Sequence, residues 1–355
     1  MAPMPADRPR QNPPAALRLG IDREALAANW RTLDRLSGAA CAGAAVKADA
    51  YGIGARIAVP LLWAAGCRDF FVTYVSEAAE IIDLVPPASI SLLHGPLNPA
   101  DAAWAREAGV RVVINSPEQA ARWIEAGGGV CDVMVDSGIN RLGLPMSAIG
   151  DAMLQQLDVD VLMSHLASAD EDVASNAVQC SRWNEARRAV PHRRASLANS
   201  AGITLGADYH GDLTRPGLSL YGGIARAELA SEIRPVARPM AAIMQVRHIA
   251  AGEGVGYNSK FIAPAAMQVG VIALGYADGY LRCWSSGKGA MLHGTRRLPV
   301  LGRVSMDMTV VDLTAAPELR EGDWVEAEYD LVEGAKASGL SQYELLTLLG
   351  RRFAR

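Results

Sequence analysis

The sequence predicts an α/β fold, a (β/α)8 barrel of the TIM type followed by a mostly β C-terminal domain. Two patterns carry that expectation. Between about Leu17 and Gly223, short apolar or β-branched runs alternate with longer stretches of helical spacing; after about Ala237, strand-like runs are broken by glycine turns. The chain has 355 residues, more than one ordinary core of about 100–200 residues holds. Half of it is hydrophobic and a fifth charged, a composition that folds rather than stays disordered.

In the first region the candidate strands are AGAAVK, DFFVTYV, SISLLH, VRVVI, CDVMVD, DVLMSH, RASLA and LSLYG. Eight strands separated by helical stretches fit a closed parallel barrel; an open doubly wound sheet is the rival that the pattern leaves standing. Among the intervening helices, ADAAWAREAG and SPEQAARWIEAGG open at Asp101 and Ser116 as N-caps and close near glycine, while VASNAVQCSRWNEARRA is the longest. The later strands are MAAIMQVRHIA, MQVGVIALG, RRLPVLGR, MTVVDL and DWVEAEYD, with no long helix before SQYELLTLLGRRF. The expected division is a loose tail over 1–14, a barrel over 15–236 and a β domain over 237–355.

Charge and cysteine usage narrow the partners. A net charge of −4 offers no basic field for nucleic acid. The longest apolar run, around Ile57 to Cys67, contains Pro60 and falls short of the roughly 18 residues a membrane span needs. Five cysteines (Cys41, Cys67, Cys131, Cys180, Cys283) form no Cys-x-x-Cys pair and read as reduced thiols of a cytoplasmic protein. The six histidines lack metal-ligand spacing, so no metal is expected. A small molecule is the expected partner.

Lys47, at the end of the first strand in AAVKADAYGIG, should point into the barrel mouth, where catalytic groups of this fold gather. A desolvated amine there can become a nucleophile, although a lysine snorkelling from a strand end is the plain alternative. LANSAG, with Ser200 and Gly202, and RPGLSLYGG, with Gly217 and Leu218, occupy the last two units, whose loops often bind phosphate. Gly252, Gly254 and Gly256 mimic a nucleotide loop but lack the strand–turn–helix setting, and Tyr257 and Lys260 are too close for a Tyr-x-x-x-Lys pair.

Eight motifs in order, AAVKADAYG, INRLG, SHLASAD, LANSAG, RPGLSLYGG, GVGYNSKF, GYADGYLR and GRVSMDM, resemble those of the alanine racemases, pyridoxal-phosphate enzymes with a barrel and a C-terminal β domain. The resemblance implies that Lys47 holds pyridoxal 5'-phosphate as an aldimine, that Tyr51, Ser200 and the backbone of Gly217 and Leu218 hold its phosphate, and that Arg215 faces the pyridine nitrogen. An arginine there cannot donate a full proton, so the electron sink is weak and prompt reprotonation at Cα is favoured. It further implies two bases, Lys47 on one face and Tyr257 of the partner subunit in a homodimer on the other, with His165 beside that tyrosine as a tuner. Arg141 would contact the phenolic oxygen and the substrate carboxylate, and the Met306 backbone that same carboxylate. Asp170, Tyr276, Arg282 and Arg303 would line an entry corridor; ordinary surface ion pairs are the plain reading of the charged members.

Three departures stand out. Many relatives carry a carbamylated lysine where this chain has Met134, a histidine beside the pyridine-facing arginine is Ser196, and a C-terminal tyrosine near the phosphate aligns with Arg351. Two other classes are weighed: a single-barrel pyridoxal-phosphate carrier, which lacks a second domain, and a barrel-plus-β decarboxylase, which places a cysteine in the site where this chain offers only Cys283 of LRCWSSG. The expected reaction is interconversion of L- and D-alanine.

Overall fold

The computed structural model describes residues 15–355, so the expected tail over 1–14 lies outside the described residues. The chain divides into two compact units, one of residues 22–237 and 340–347, the other of 15–21, 238–339 and 348–355. Strand β1 (Leu17–Ile21) thus belongs to the strand-rich unit, and the chain returns to the other unit for eight residues near its end.

The larger unit is the barrel. Helix α1 (Arg23–Leu36) starts at Asp22, whose carboxylate accepts the Ala25 N–H at 2.8 Å. The first barrel strand is broken at Gly43 into β2 (Cys41–Ala42) and β3 (Ala44–Ala45). A Cβ at Gly43 would lie 2.9 Å from both the Asp69 carbonyl and the Phe71 ring, so the strand can bend there only because nothing projects. The ring continues through β4 (Phe70–Val72), β5 (Ile90–Leu92), β6 (Arg111–Ile114), β7 (Val130–Asp136), β8 (Asp158–Met163) and β9 (Arg194–Ser196), each parallel to its neighbour. It closes through β10 (Leu213–Thr214), parallel to β2.

The eighth strand is therefore Leu213–Thr214 and not LSLYG. Leu218–Tyr221 form a 3-10 turn ended by left-handed Gly222, all four residues buried. A short apolar run looks the same whether it is a buried strand or a buried turn, and here the Ser200 hydroxyl accepting the Gly217 and Ser219 N–H groups, at 2.9 and 3.3 Å, helps decide for the turn.

Inside the barrel Phe71, Val113, Met134, Val161, Met163 and Leu213 pack together. Below them the filling is ionic: Arg111 reaches Asp69 at 2.8 Å and Asp160 at 2.7 Å, and Arg194 reaches the same two carboxylates at 2.8 and 2.7 Å. Asp132, fully buried, is hydrogen-bonded by the Ser91 hydroxyl. Outside the ring, α2 (Pro99–Ala108) is capped by Asn98 rather than Asp101, which sits at its third position, whereas Ser116 caps α3 (Pro117–Glu125) as expected. Helix α4 (Ala174–Ala189) buries Asn176, Gln179, Cys180, Trp183 and Ala186, one face at helical spacing.

The strand-rich unit closes into an antiparallel ring of β11 (Ala237–Ile249), β12 (Met267–Ile272), β13 (Ala290–His293), β14 (Arg296–Leu301), β15 (Thr309–Asp312) and β16 (Trp324–Ala327), with β1 beside β11. Besides β1, strand β11 serves two neighbours: Met240–Ala242 pair with β16, and after a register shift at Ile243–Gln245 the remainder pairs with β12. Beyond the expected elements are β13 and a short helix over Leu331–Ser338, while SQYELLTLLGRRF forms a helix only over Gln342–Thr347.

Candidate active site

A cavity of about 690 Å³ opens in the barrel unit at the ends of its strands. Lys47, Tyr51, Arg141, His165, Ser200, Arg215, Gly217 and Leu218 all line it, joined by Met134, His94 and Tyr343. These are the carboxyl ends of parallel strands, where loops rather than strand side chains set the chemistry.

Lys47 leaves β3 on an unusual backbone. Ala48, Asp49, Ala50 and Tyr51 have φ of 53, 51, 53 and 55°, a full left-handed turn of L-residues. Each such residue costs about 1–2 kcal/mol, so surrounding bonds must over-determine the turn. They do. The Ala50 and Gly52 N–H groups donate to the Val46 and Ala48 carbonyls at 2.9 and 3.0 Å, the Asp49 carboxylate accepts the Ala55 N–H at 2.7 Å, and Glu77 accepts the Ala48 N–H at 2.7 Å. Burial and the Arg141 guanidinium hold the Lys47 amine below the ordinary lysine range, with Glu77 opposing them.

The far end of the cavity is a small cradle. Tyr51 stacks on Tyr221 with ring centroids 4.9 Å apart, and the Tyr221 hydroxyl donates to the Ala45 carbonyl at 2.8 Å. A Cβ on Gly217 would lie 2.3 Å from the Tyr51 oxygen, so glycine is what leaves that hydroxyl its place. Nearby the buried Ser219 hydroxyl has no hydrogen-bond partner.

Arg215 is buried and its guanidinium donates to the Ser196 hydroxyl and the Ser164 carbonyl, both neutral. Burial pushes its pKa down to about 10, which leaves it charged at neutral pH. Ser196 thus occupies the arginine's side. His165 is pushed down to about 3 by burial and by the cations Arg215, Arg141 and Lys47, and is therefore a neutral imidazole. Gln179 of α4 fixes its loop, donating to the His165 carbonyl at 3.1 Å and accepting the Ala167 N–H at 2.8 Å. Arg141 rides on a loop wound around Asp136, whose carboxylate accepts the N–H groups of Gly138, Ile139, Asn140 and Arg141 at 2.8, 2.9, 3.2 and 3.2 Å. Met134 is part of the packed barrel interior, and no carboxylate among the described residues pairs with the Arg141 guanidinium.

Sequence reasoning missed Glu77, Gln179, Asp136 and Tyr343. The first three act through backbone groups, which leave no motif. Tyr343, its ring 6.1 Å from that of Tyr51, lines the cavity, whereas Arg351 is exposed in the strand-rich unit.

Tyr257, Met306, Tyr276, Arg282 and Arg303 belong to the strand-rich unit and do not line the cavity; neither does Asp170, exposed on the barrel unit. Within the strand-rich unit their loops adjoin. The Tyr276 and Ala277 N–H groups donate to the Ser305 and Met306 carbonyls, each at 3.0 Å, the Arg282 guanidinium lies 5.1 Å from the Tyr276 ring centre, and the Gly302 position abuts the Val255 carbonyl. Tyr257 is 64% exposed and Met306 54%, with Ile262 and Met308 also exposed.

Sequence models of the alanine racemase N-terminal and C-terminal domains match residues 21–225 and 236–355. The chain is 43% identical over 354 residues to the alanine racemase of Methylobacterium nodulans, covering 95% of each. It is 39% identical to both the biosynthetic and the catabolic alanine racemases of Agrobacterium fabrum, covering 96% and 95% of this chain and 93% and 91% of theirs. Among solved structures, the alanine racemase of Bartonella henselae with covalently bound pyridoxal phosphate superposes with a TM-score of 0.85 at 32% identity, covering 96% of this chain and 99% of that one. The biosynthetic enzyme of Pseudomonas aeruginosa gives 0.84 at 35%, with the same coverage.

Proposed function

This chain belongs to the alanine racemase family, pyridoxal-phosphate-dependent isomerases, and from that premise we propose that it interconverts L- and D-alanine by a two-base mechanism, Lys47 serving one face of the substrate and Tyr257 of the partner subunit the other. The observation that carries this reading is the single cavity that joins an amine held below its usual range to two guanidinium groups and a cradle vacated by Gly217.

Those residues fit an anionic phosphorylated cofactor: Lys47, Arg141 and Arg215 bring three cationic side chains to one cavity, and Gly217 leaves a cradle beside Tyr51 and Ser200 that a Cβ would fill. Lys47 would hold it covalently, Tyr51, Ser200 and the backbone of Gly217 and Leu218 its phosphate, and Arg215 its ring nitrogen. When bound, pyridoxal phosphate supplies the electron sink that acidifies the substrate's α-proton. Arg215, charged and with its guanidinium bonded to the neutral Ser196 and Ser164 groups, would offer a hydrogen bond to that nitrogen without transferring a proton, which would keep the sink weak and return of the proton prompt.

Lys47 would take or return the α-proton on its face, and an amine held below the ordinary lysine range suits a group that must both accept and give up a proton. Tyr257 does the same on the opposite face. His165 would bond to that phenol, and because it is held neutral it orients the hydroxyl rather than lending it positive charge. Arg141 and the Met306 backbone would grip the substrate carboxylate, and Asp170, Tyr276, Arg282 and Arg303 line the approach, their mixed charges suited to a zwitterion. The exposed Tyr257, Ile262, Met306 and Met308 are side chains that a second copy of the chain would cover. Five free cysteines suit a reducing cytoplasm.

The test is complementation. Lys47→Ala and Tyr257→Phe subunits, each inactive alone, are exchanged in mild denaturant and assayed by chiral chromatography. Shared sites predict about half the wild-type rate per heterodimer, and about a quarter in a random equimolar mixture. Verified heterodimers without activity would refute base sharing.

A further inference from the structure

Glu77 lies behind the cavity wall, and its two carboxylate oxygens act on different parts of the barrel. One accepts the Thr73 N–H at 2.6 Å, just after β4; the other accepts the Ala48 N–H at 2.7 Å, in the left-handed turn that follows β3. Capping the short helix over Val75–Ile81 uses only the first of these oxygens, which also accepts the N–H of the N-cap Tyr74 at 3.4 Å. The second reaches across 29 positions of sequence to the residue directly after Lys47.

We propose that Glu77 is a positioning residue for Lys47, pinning the left-handed turn that aims the lysine into the cavity and presenting to its nitrogen a negative charge that opposes the surrounding cations. The proposal rests on Lys47 being the residue that holds the cofactor. The backbone argument comes first. Of the bonds that stabilise the turn, the one to Glu77 is made by the N–H of its first left-handed residue, and an ionised acceptor makes it stronger than a bond to a neutral carbonyl. Losing it frees the turn at the point where the lysine leaves the strand.

Charge is the second argument. Lys47 faces Arg141, His94 and His165 as well as Glu77, and of these Glu77 alone is a carboxylate that favours the protonated nitrogen. Both histidines are held below their ordinary range by burial and by these cations, so they add no charge at neutral pH. Glu77 therefore opposes Arg141, and once its charge is removed none of the other three side chains replaces it.

The experiment uses loaded enzyme. The pH at which the Lys47 nitrogen gives up its proton is read from the cofactor's visible absorbance in wild type, Glu77→Gln and Glu77→Ala, together with the cofactor dissociation constant and the melting temperature. Glu77→Gln, which removes the charge and keeps one acceptor, should lower that midpoint by about one pH unit. Glu77→Ala should in addition weaken cofactor binding by about tenfold. A purely structural capping role would lower the melting temperature and leave the midpoint unmoved, and that result in Glu77→Gln overturns the proposal even if Glu77→Ala fails to fold. Lys47→Ala separates the two ideas. If its visible band is lost while Glu77→Gln is silent, only the role of Glu77 fails; if the band survives, the assignment of Lys47 fails and takes this proposal with it.

Discussion

Gly217→Ala adds one methyl group where the structure has no room for it. The new carbon would lie 2.3 Å from the Tyr51 oxygen and 2.9 Å from its Cζ, about 1 Å inside contact distance for the first of these. Tyr51 must then swing, giving up its stack on Tyr221 and its place in the cradle. Overpacking of this kind costs about 1–3 kcal/mol, which, drawn from cofactor binding, is a loss of roughly five- to 150-fold in affinity. The assay is titration of cofactor-free enzyme with pyridoxal phosphate, followed by absorbance. Adding Tyr51→Phe removes the closest atom, so the double variant should lose less than the sum of the single losses. Gly150→Ala, where a Cβ meets nothing within 4 Å, is the control. Wild-type affinity and melting temperature in Gly217→Ala would refute the argument that glycine is there to make room for Tyr51.

Other expectations follow from the same geometry. Tyr257→Phe should retain cofactor and let Lys47 exchange the α-proton of D-alanine in deuterated water, while abolishing exchange from L-alanine and racemisation; equal loss from both enantiomers, measured by proton NMR, counts against one base per face. Ala48→Gly should raise stability by about 0.5–1 kcal/mol, because relief of left-handed strain exceeds the added freedom of the unfolded chain, and a lower melting temperature would contradict it. Asp69→Asn should cost about 3–5 kcal/mol at pH 7 by leaving Arg111 and Arg194 short of a buried partner. Burial tends to raise the Asp69 carboxyl, but its bonds to Arg194 and Arg111 prevail and hold it below the usual range. Its contribution is thus complete above the unfolded value near 3.8 and is lost as pH falls through the lower folded value. Urea melts of wild type and variant should therefore converge at the acid end, and a gap independent of pH would refute the linkage.

The alternation of βα units, the switch to glycine-broken strands after Ala237 and the Lys47, Ser200 and Gly217 segments were legible because each is local: spacing and residue type suffice to write them. What the sequence left open depended on distant neighbours. LSLYG is apolar because it is enclosed, and enclosure does not distinguish a turn from a strand; the closing strand fell to Leu213–Thr214, too short to show a period. Leu17–Ile21 precedes the barrel in the chain yet pairs with Ala237–Ile249, more than two hundred residues later, and no local pattern encodes a partner. The same holds around the cavity. Its reactive side chains could be named from motifs, whereas Glu77, Gln179 and Asp136, which hold the loops bearing Lys47, His165 and Arg141, act on backbone N–H or carbonyl groups that every sequence possesses. Residue chemistry is written in the sequence; the left-handed turn under Lys47, and the burial that holds its amine below the ordinary range, exist only once the chain has closed around them.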